Sequence, residues 1–328
     1  MFKTSHLLGV LELATIAARL LGRRRGVFAR ASKASFGRRC SMKFSPQPGM
    51  GVIAEGFDPG SDVDVRRLKQ AVYRHRIVIV KEQHLDSAEL LEFGRRLGTP
   101  QLYYEPIYHH PDVPEVFVSS NIATAGRRLG VPKTGQFWHS DYQFMPRPFD
   151  LTIISPRRVP SERRGTLFID LAAAYRQLEP ELARAASETV AIHTPRRKFK
   201  IRPGDVYRPI GDLLAEIDTR TPPVRRPTVI RHPHTGEQVL YVSEGATETI
   251  EDSDGHQKSD MLEQLLSTTG QLDPDAEHPA IHLQRFDVGD LLIWDNIALA
   301  HRSLHNPTEE PAESWRVTLY DDEPEAAA

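Results

Sequence analysis

A single cysteine, Cys40, stands among the 328 residues of this chain. One thiol closes no internal disulfide and supplies no cysteine-based zinc site. A reducing, cytoplasmic setting is therefore expected. Long apolar runs are also missing: the stretch Leu7–Leu21 is broken by Glu12 and Arg19, whereas a bilayer-spanning helix needs about 20 apolar residues. Stable membrane insertion is not expected. Nor does the chain carry an H-E-x-x-H motif, the helical signature of many zinc hydrolases. Charge of one sign is not in excess either, the formal net charge being −2.

That near-neutrality hides an uneven distribution. Residues 1–43 carry ten Lys/Arg and one acid, Glu12, for a charge of +9, which leaves −11 on the remainder. An acidic body argues against nucleic acid, and homo-oligomerisation is left open. The Arg- and Ser-rich leader has the look of an organellar transit peptide or of a basic membrane-surface helix. The folded pattern, however, begins just after Met42. Residues 1–42 are expected to be disordered or an upstream extension, with one domain over 43–328.

Apolar (39%) and charged (26%) contents are those of an ordinary globular protein, while 25 prolines favour loops over long helices. Val63–His75 has helical spacing, and the apolar run Ile77–Val80 reads as a buried strand. Ser87–Leu97 is an amphipathic helix stopped by Gly98. Strands are then expected at Val116–Ser119, Phe149–Ile154, Thr166–Asp170, Val239–Ser243, Ile281–Phe286, Leu291–Trp294 and Trp315–Tyr320. Helices are expected at Ala172–Leu178, Pro180–Ser187 and Ser259–Thr268. Many short strands with peripheral helices predict a mainly β fold, a sandwich or barrel of jelly-roll type.

Three segments carry chemistry. In Phe137–Phe144, an extended chain would point His139 and Asp141 the same way, as two ligands of a metal site. By itself this pair is weak evidence and reads more readily as a surface His and Asp making ordinary hydrogen bonds. Gly289–Asn296 then launches an apolar strand that leads to His301. Two imidazoles and one carboxylate, without thiolate, suit iron(II) in a facial triad; a catalytic zinc is the competing metal. In Ser314–Tyr320, Trp315, Val317 and Leu319 alternate with Arg316, Thr318 and Tyr320. Arg316 has the planar fork that suits the distal carboxylate of a 2-oxo acid chelating iron. Its other reading is an exposed ion pair on an edge strand.

Trp138–Asp141, Gly289–Arg302 and Trp315–Thr318 together resemble the W-H-x-D, G-D-x-x-x-W-D-N-x-x-x-x-H-R and W-R-V-T motifs of the taurine dioxygenase-like family. That resemblance implies a double-stranded β-helix and Fe(II), with 2-oxoglutarate and O2 as co-substrates. It also implies metal ligation by His139, Asp141 and His301. Arg316 and Thr166 would hold 2-oxoglutarate, with Trp294 lining its site; Thr166 follows from the partial match of Arg164–Phe168.

Narrower stretches, among them Tyr103–Pro106, Val131–Gly135, Asp141–Pro146, Phe199–Pro203, Asp205–Pro209 and Ser243–Gly245, resemble the isonitrile-forming branch. Enzymes of that branch convert (3R)-3-[(carboxymethyl)amino] fatty acids to isocyano fatty acids during isonitrile lipopeptide biosynthesis. The resemblance implies substrate-binding roles for Tyr103, Tyr104, Tyr108, Tyr142, Arg164, Lys200, Arg202 and His305. His305 is also a candidate acid/base. Tyr103 and Tyr104 would both reach substrate only from a bent loop. A generic hydroxylase of an amino acid or sulfonate is the alternative.

Overall fold

The computed structural model describes residues 42–322, apart from 125–126, 163–164, 200, 202 and 306–309. Expectations for residues 1–41 and for Arg164, Lys200 and Arg202 therefore lie outside the described residues. The largest sheet has eight strands. Its path runs Lys43–Pro46, Val52–Glu55, Ile77–Val80, Leu291–Asp295, Leu151–Arg158, Glu313–Tyr320 and Thr99–Gln101, and Phe117–Ser120 also pairs with Glu313–Tyr320. Only Val52–Glu55 and Ile77–Val80 run parallel; the other pairings in this sheet are antiparallel. A three-stranded sheet orders Ile281–Gln284, Thr166–Asp170 and Leu299–Ser303. The two sheets form the double-stranded β-helix, a jelly roll, that the sequence resemblance implies.

Alternation along the strands explains how the sheets stack. Ile77, Ile79, Leu292 and Trp294 pack with Phe168 and Leu299 of the smaller sheet. Val78, Val80, Leu291, Ile293, Val317 and Leu319 point the other way, onto Leu68, Leu90, Phe93 and Leu97 of two helices. A strand covered on both faces reads as a continuous apolar run, as Ile77–Val80 does. Arg316 and Thr318, which alternate with Val317 and Leu319, are thereby directed into the barrel.

The two covering helices are Asp62–His75 and Ser87–Leu97. Ser61 caps the first by accepting from Asp64 N at 3.2 Å, and Asp86 with Glu89 forms a reciprocal capping box on the second. The first ends at Arg76, whose φ of +72° is costly for a side chain. Three carboxylates on its guanidinium, those of Asp170, Glu237 and Asp295, compensate.

A second three-stranded sheet, Val224–Pro227, Val190–His193 and Thr247–Glu251, carries a titratable group. His193 is fully buried, and burial together with the nearby Arg226 charge pushes its pKa down to about 3. Its stabilising effect is present above the ordinary imidazole pKa and is lost as pH falls from about 6.5 toward 3. Denaturant titrations at pH 6.5 and pH 5 should show His193→Gln losing about 2 kcal/mol less than the parent. Parallel losses in both proteins would remove His193 from the acid response.

Candidate active site

His139, Asp141 and His301 are buried and converge, with one ligand atom from each lying within 4.8 Å of the others. His139 Nε2 is 3.7 Å from Asp141 Oδ1, and His301 Nε2 is 3.9 Å from Asp141 Oδ2. Reciprocal backbone hydrogen bonds of 3.0 and 2.8 Å hold His139 against His301. His139 Nδ1–H donates to the Phe137 carbonyl at 2.7 Å. That bond fixes the tautomer and leaves Nε2 with its lone pair. Gly135 permits this closeness: at φ +68°, a Cβ there would sit 3.3 Å from His139 Cε1 and 2.9 Å from Ser303 Oγ.

Strand pleating is not what aligns Asp141 with His139. Residues 141–144 form a turn, and Tyr142 takes φ +61°. The side chain of Asn296 replaces the missing ladder. It accepts from Asp141 N at 2.9 Å and donates to the carbonyls of Asp141 and Phe149 at 2.8 and 3.0 Å. Those backbone groups are buried and must be paired. The Asp141 carboxylate itself accepts from Arg316 Nη1 and from Thr152 Oγ1, both at 2.9 Å.

Two cavities meet at this point. One, of about 190 Å3, is lined by Thr166, Trp294, His301, Ser303 and His305; the other, of about 170 Å3, by Tyr103, Tyr108, Tyr142, Phe144, Arg197 and Phe199. Both reach His139, Phe117 and Arg316. The Arg316 guanidinium lies 4.0 Å from the Phe117 ring centroid, a cation–π contact that fixes its plane. Trp294 Nε1 and Arg316 Nε are buried without a hydrogen-bond partner among the described residues. Buried donors call for acceptors, and both residues line the first cavity. Two neutral imidazoles, one carboxylate and waiting donors beside them fit Fe(II) with an anionic chelator.

The comparisons with known proteins agree with this geometry. The family described as "Taurine catabolism dioxygenase TauD, TfdA family" matches residues 43–318. The chain belongs to this family. Pentalenolactone F synthase of Streptomyces arenae is 28% identical, over 86% of this chain and 96% of that protein. The alpha-ketoglutarate-dependent 2,4-dichlorophenoxyacetate dioxygenase of Cupriavidus pinatubonensis is 25% identical, over 79% and 89%. A taurine dioxygenase structure from Burkholderia xenovorans superposes with a TM-score of 0.66 at 24% identity, covering 87% of this chain and 91% of that one.

Within this TauD-type fold, the residues singled out from sequence separate into groups. Thr166 pairs with Ser303 across the smaller sheet and faces the first cavity. His305 lies on that side too, its Nε2–H donating to Thr134 O at 2.8 Å. Tyr103, Tyr108 and Tyr142 line the second cavity, whereas Tyr104 lines neither. The Tyr103–Tyr104 segment is bent, which brings the two ring centroids to 4.9 Å. Tyr104 N donates to the Tyr142 phenol oxygen at 2.7 Å, and Tyr142 stacks on Phe149 at 3.9 Å. Burial, first of all, pushes the phenol pKa values of Tyr103, Tyr104 and Tyr142 upward. These phenols are therefore neutral donors at physiological pH.

Sequence reasoning assigned no role to Asn296, Thr152, Phe117 or Arg197. Asn296 stood in the quoted motif, beside Trp294. The other three carried no local signal, because each reaches the site from a different part of the chain.

Proposed function

We propose that this 2-oxoglutarate-dependent dioxygenase converts a (3R)-3-[(carboxymethyl)amino] fatty acid to the (3R)-3-isocyano fatty acid, with loss of CO2. The carrying observation is the tyrosine-lined cavity that opens onto His139, Asp141 and Arg316. The resemblance of Tyr103–Pro106 and its companion segments to isonitrile-forming enzymes supports the same reading. The substrate is an amine between an acyl chain and carboxylates. It needs phenol donors, a cation and an apolar wall, and Tyr103, Tyr108, Arg197, Phe144 and Phe199 offer these.

In this reading His139, Asp141 and His301 hold Fe(II), which with 2-oxoglutarate and O2 supplies the oxidising power. Arg316 and Thr166 fix the distal carboxylate of 2-oxoglutarate, and Trp294 closes the same wall. Tyr103, Tyr108 and Tyr142 orient the substrate so that the methylene beside its carboxylate faces the triad; placement of that C–H decides the product. Two successive oxidations of that carbon, with departure of its carboxylate as CO2, leave the isocyano group.

The test is to supply the iron-loaded enzyme with a carboxymethylamino fatty acid, 2-oxoglutarate and air, and to identify products by mass. An isonitrile, with at least two succinates formed per product, is expected. A product that stops at hydroxylation would favour a generic hydroxylase. No turnover of this substrate, while an amino acid or sulfonate is hydroxylated, would overturn the proposal.

A further inference from the structure

We infer that Thr152 is a positioning residue that fixes the rotamer of the Asp141 carboxylate for metal binding. The inference rests on the metal reading of the triad. Thr152 is fully buried in the Leu151–Arg158 strand, at the register position facing Trp294 on one side and Thr318 on the other. Strand alternation sends its side chain into the barrel, whereas Leu151 and Ile153 pack toward the helices. There Thr152 Oγ1–H donates to Asp141 Oδ2 at 2.9 Å.

Asn296 fixes the Asp141 backbone through its N–H and C=O, but it leaves rotation about the side-chain bonds unrestrained. Thr152 removes that freedom. It is the better candidate for a permanent restraint, because its rigid, β-branched side chain is anchored in the middle of the sheet. Arg316, the donor to Oδ1, has by contrast a long side chain and a second duty toward the cosubstrate. With Oδ2 held by Thr152 and Oδ1 by Arg316, the carboxylate is set between the two imidazoles, Oδ1 lying 3.7 Å from His139 Nε2 and Oδ2 3.9 Å from His301 Nε2. A carboxylate whose rotamer is set in advance does not have to be ordered when a metal binds, so loss of the restraint would weaken binding. Outer-shell partners of this kind typically change metal affinity by about 10–100-fold.

Anaerobic calorimetry with Co(II) on the metal-free full chain separates this role from simple packing. Thr152→Val keeps the shape and removes the donor; it should bind Co(II) roughly tenfold or more weakly than the parent. Thr152→Ser should restore binding to near the parental value. If Thr152→Val is too unstable to titrate, Thr152→Ala, which also removes the donor without adding a metal ligand, is expected to show the same loss. Parental Co(II) affinity in the folded Val or Ala variant would overturn the inference, even if the melting temperature fell. Failure of the parent itself to bind Co(II) would overturn the metal reading and the inference together, and is distinguishable for that reason.

Discussion

Asp141→Asn is expected to reduce iron-dependent turnover to background and to lower metal affinity by more than the roughly 10–100-fold typical of outer-shell partners. The reason is that Asp141 supplies the only carboxylate in a donor set otherwise made of two neutral imidazoles. The amide keeps the shape; its oxygen can still accept from Arg316 while its NH2 donates to the Thr152 hydroxyl, and the backbone clamp of Asn296 is preserved. Alanine is a less discriminating choice. It removes the acceptor atoms as well as the charge, leaving Arg316, whose side chain is only 13% exposed, and Thr152 without their hydrogen-bond partner, whereas Asp141→Asn loses only the charge; breaking such a buried pair costs roughly 3–5 kcal/mol of stability. His139→Ala should abolish turnover in the same way. Anaerobic metal titration and succinate release provide the two measurements. Parental turnover in either variant would remove that residue from the metal site.

Arg316→Ala is expected to raise the 2-oxoglutarate concentration needed for half-maximal turnover by about 30-fold or more. Losing one partner of a buried, hydrogen-bonded charge pair costs roughly 2–5 kcal/mol, and each 1.4 kcal/mol is about tenfold. The buried Nε of Arg316 lacks a partner among the described residues, and the side chain stacks on Phe117, so the fork is held ready for an anion. Arg316→Lys keeps the charge but loses the planar fork, and should recover only part of the affinity. Because Nη1 also donates to Asp141, Co(II) affinity has to be measured alongside. A changed metal affinity with an unchanged 2-oxoglutarate requirement would restrict Arg316 to holding Asp141.

Arg316 also shows why the two cavities meet where they do. It lines both, and its neighbour across the site, His139, does the same. A cosubstrate in the first cavity and a substrate in the second would approach one metal from two sides. The polar wall of the first, with Thr166 and Ser303, suits a small dicarboxylate. The aromatic wall of the second suits a larger, partly apolar amine.

Much of the architecture was determined by the sequence alone. Alternation in Trp315–Tyr320 separated Val317 and Leu319, which meet the helices, from Arg316 and Thr318, which enter the barrel. The apolar run Ile77–Val80 announced a strand covered on both faces, and Gly98 bounded the second helix. Periodicity works here because burial depends on which face a residue occupies. Elsewhere the local pattern was silent. The strand Leu299–Ser303, which carries His301, and the helix Ile210–Arg220 were not anticipated from their residues. His139 and Asp141 were expected to be aligned by a strand, yet a turn and the amide of Asn296, 155 residues away, align them. The hold of Thr152 on Oδ2 likewise exists only because two strands place it beneath the triad. The sequence by itself thus determined which side chains face inward and which ligand types are available. Tertiary structure decided how they are held, because the restraining hydrogen bonds join residues that no periodicity relates.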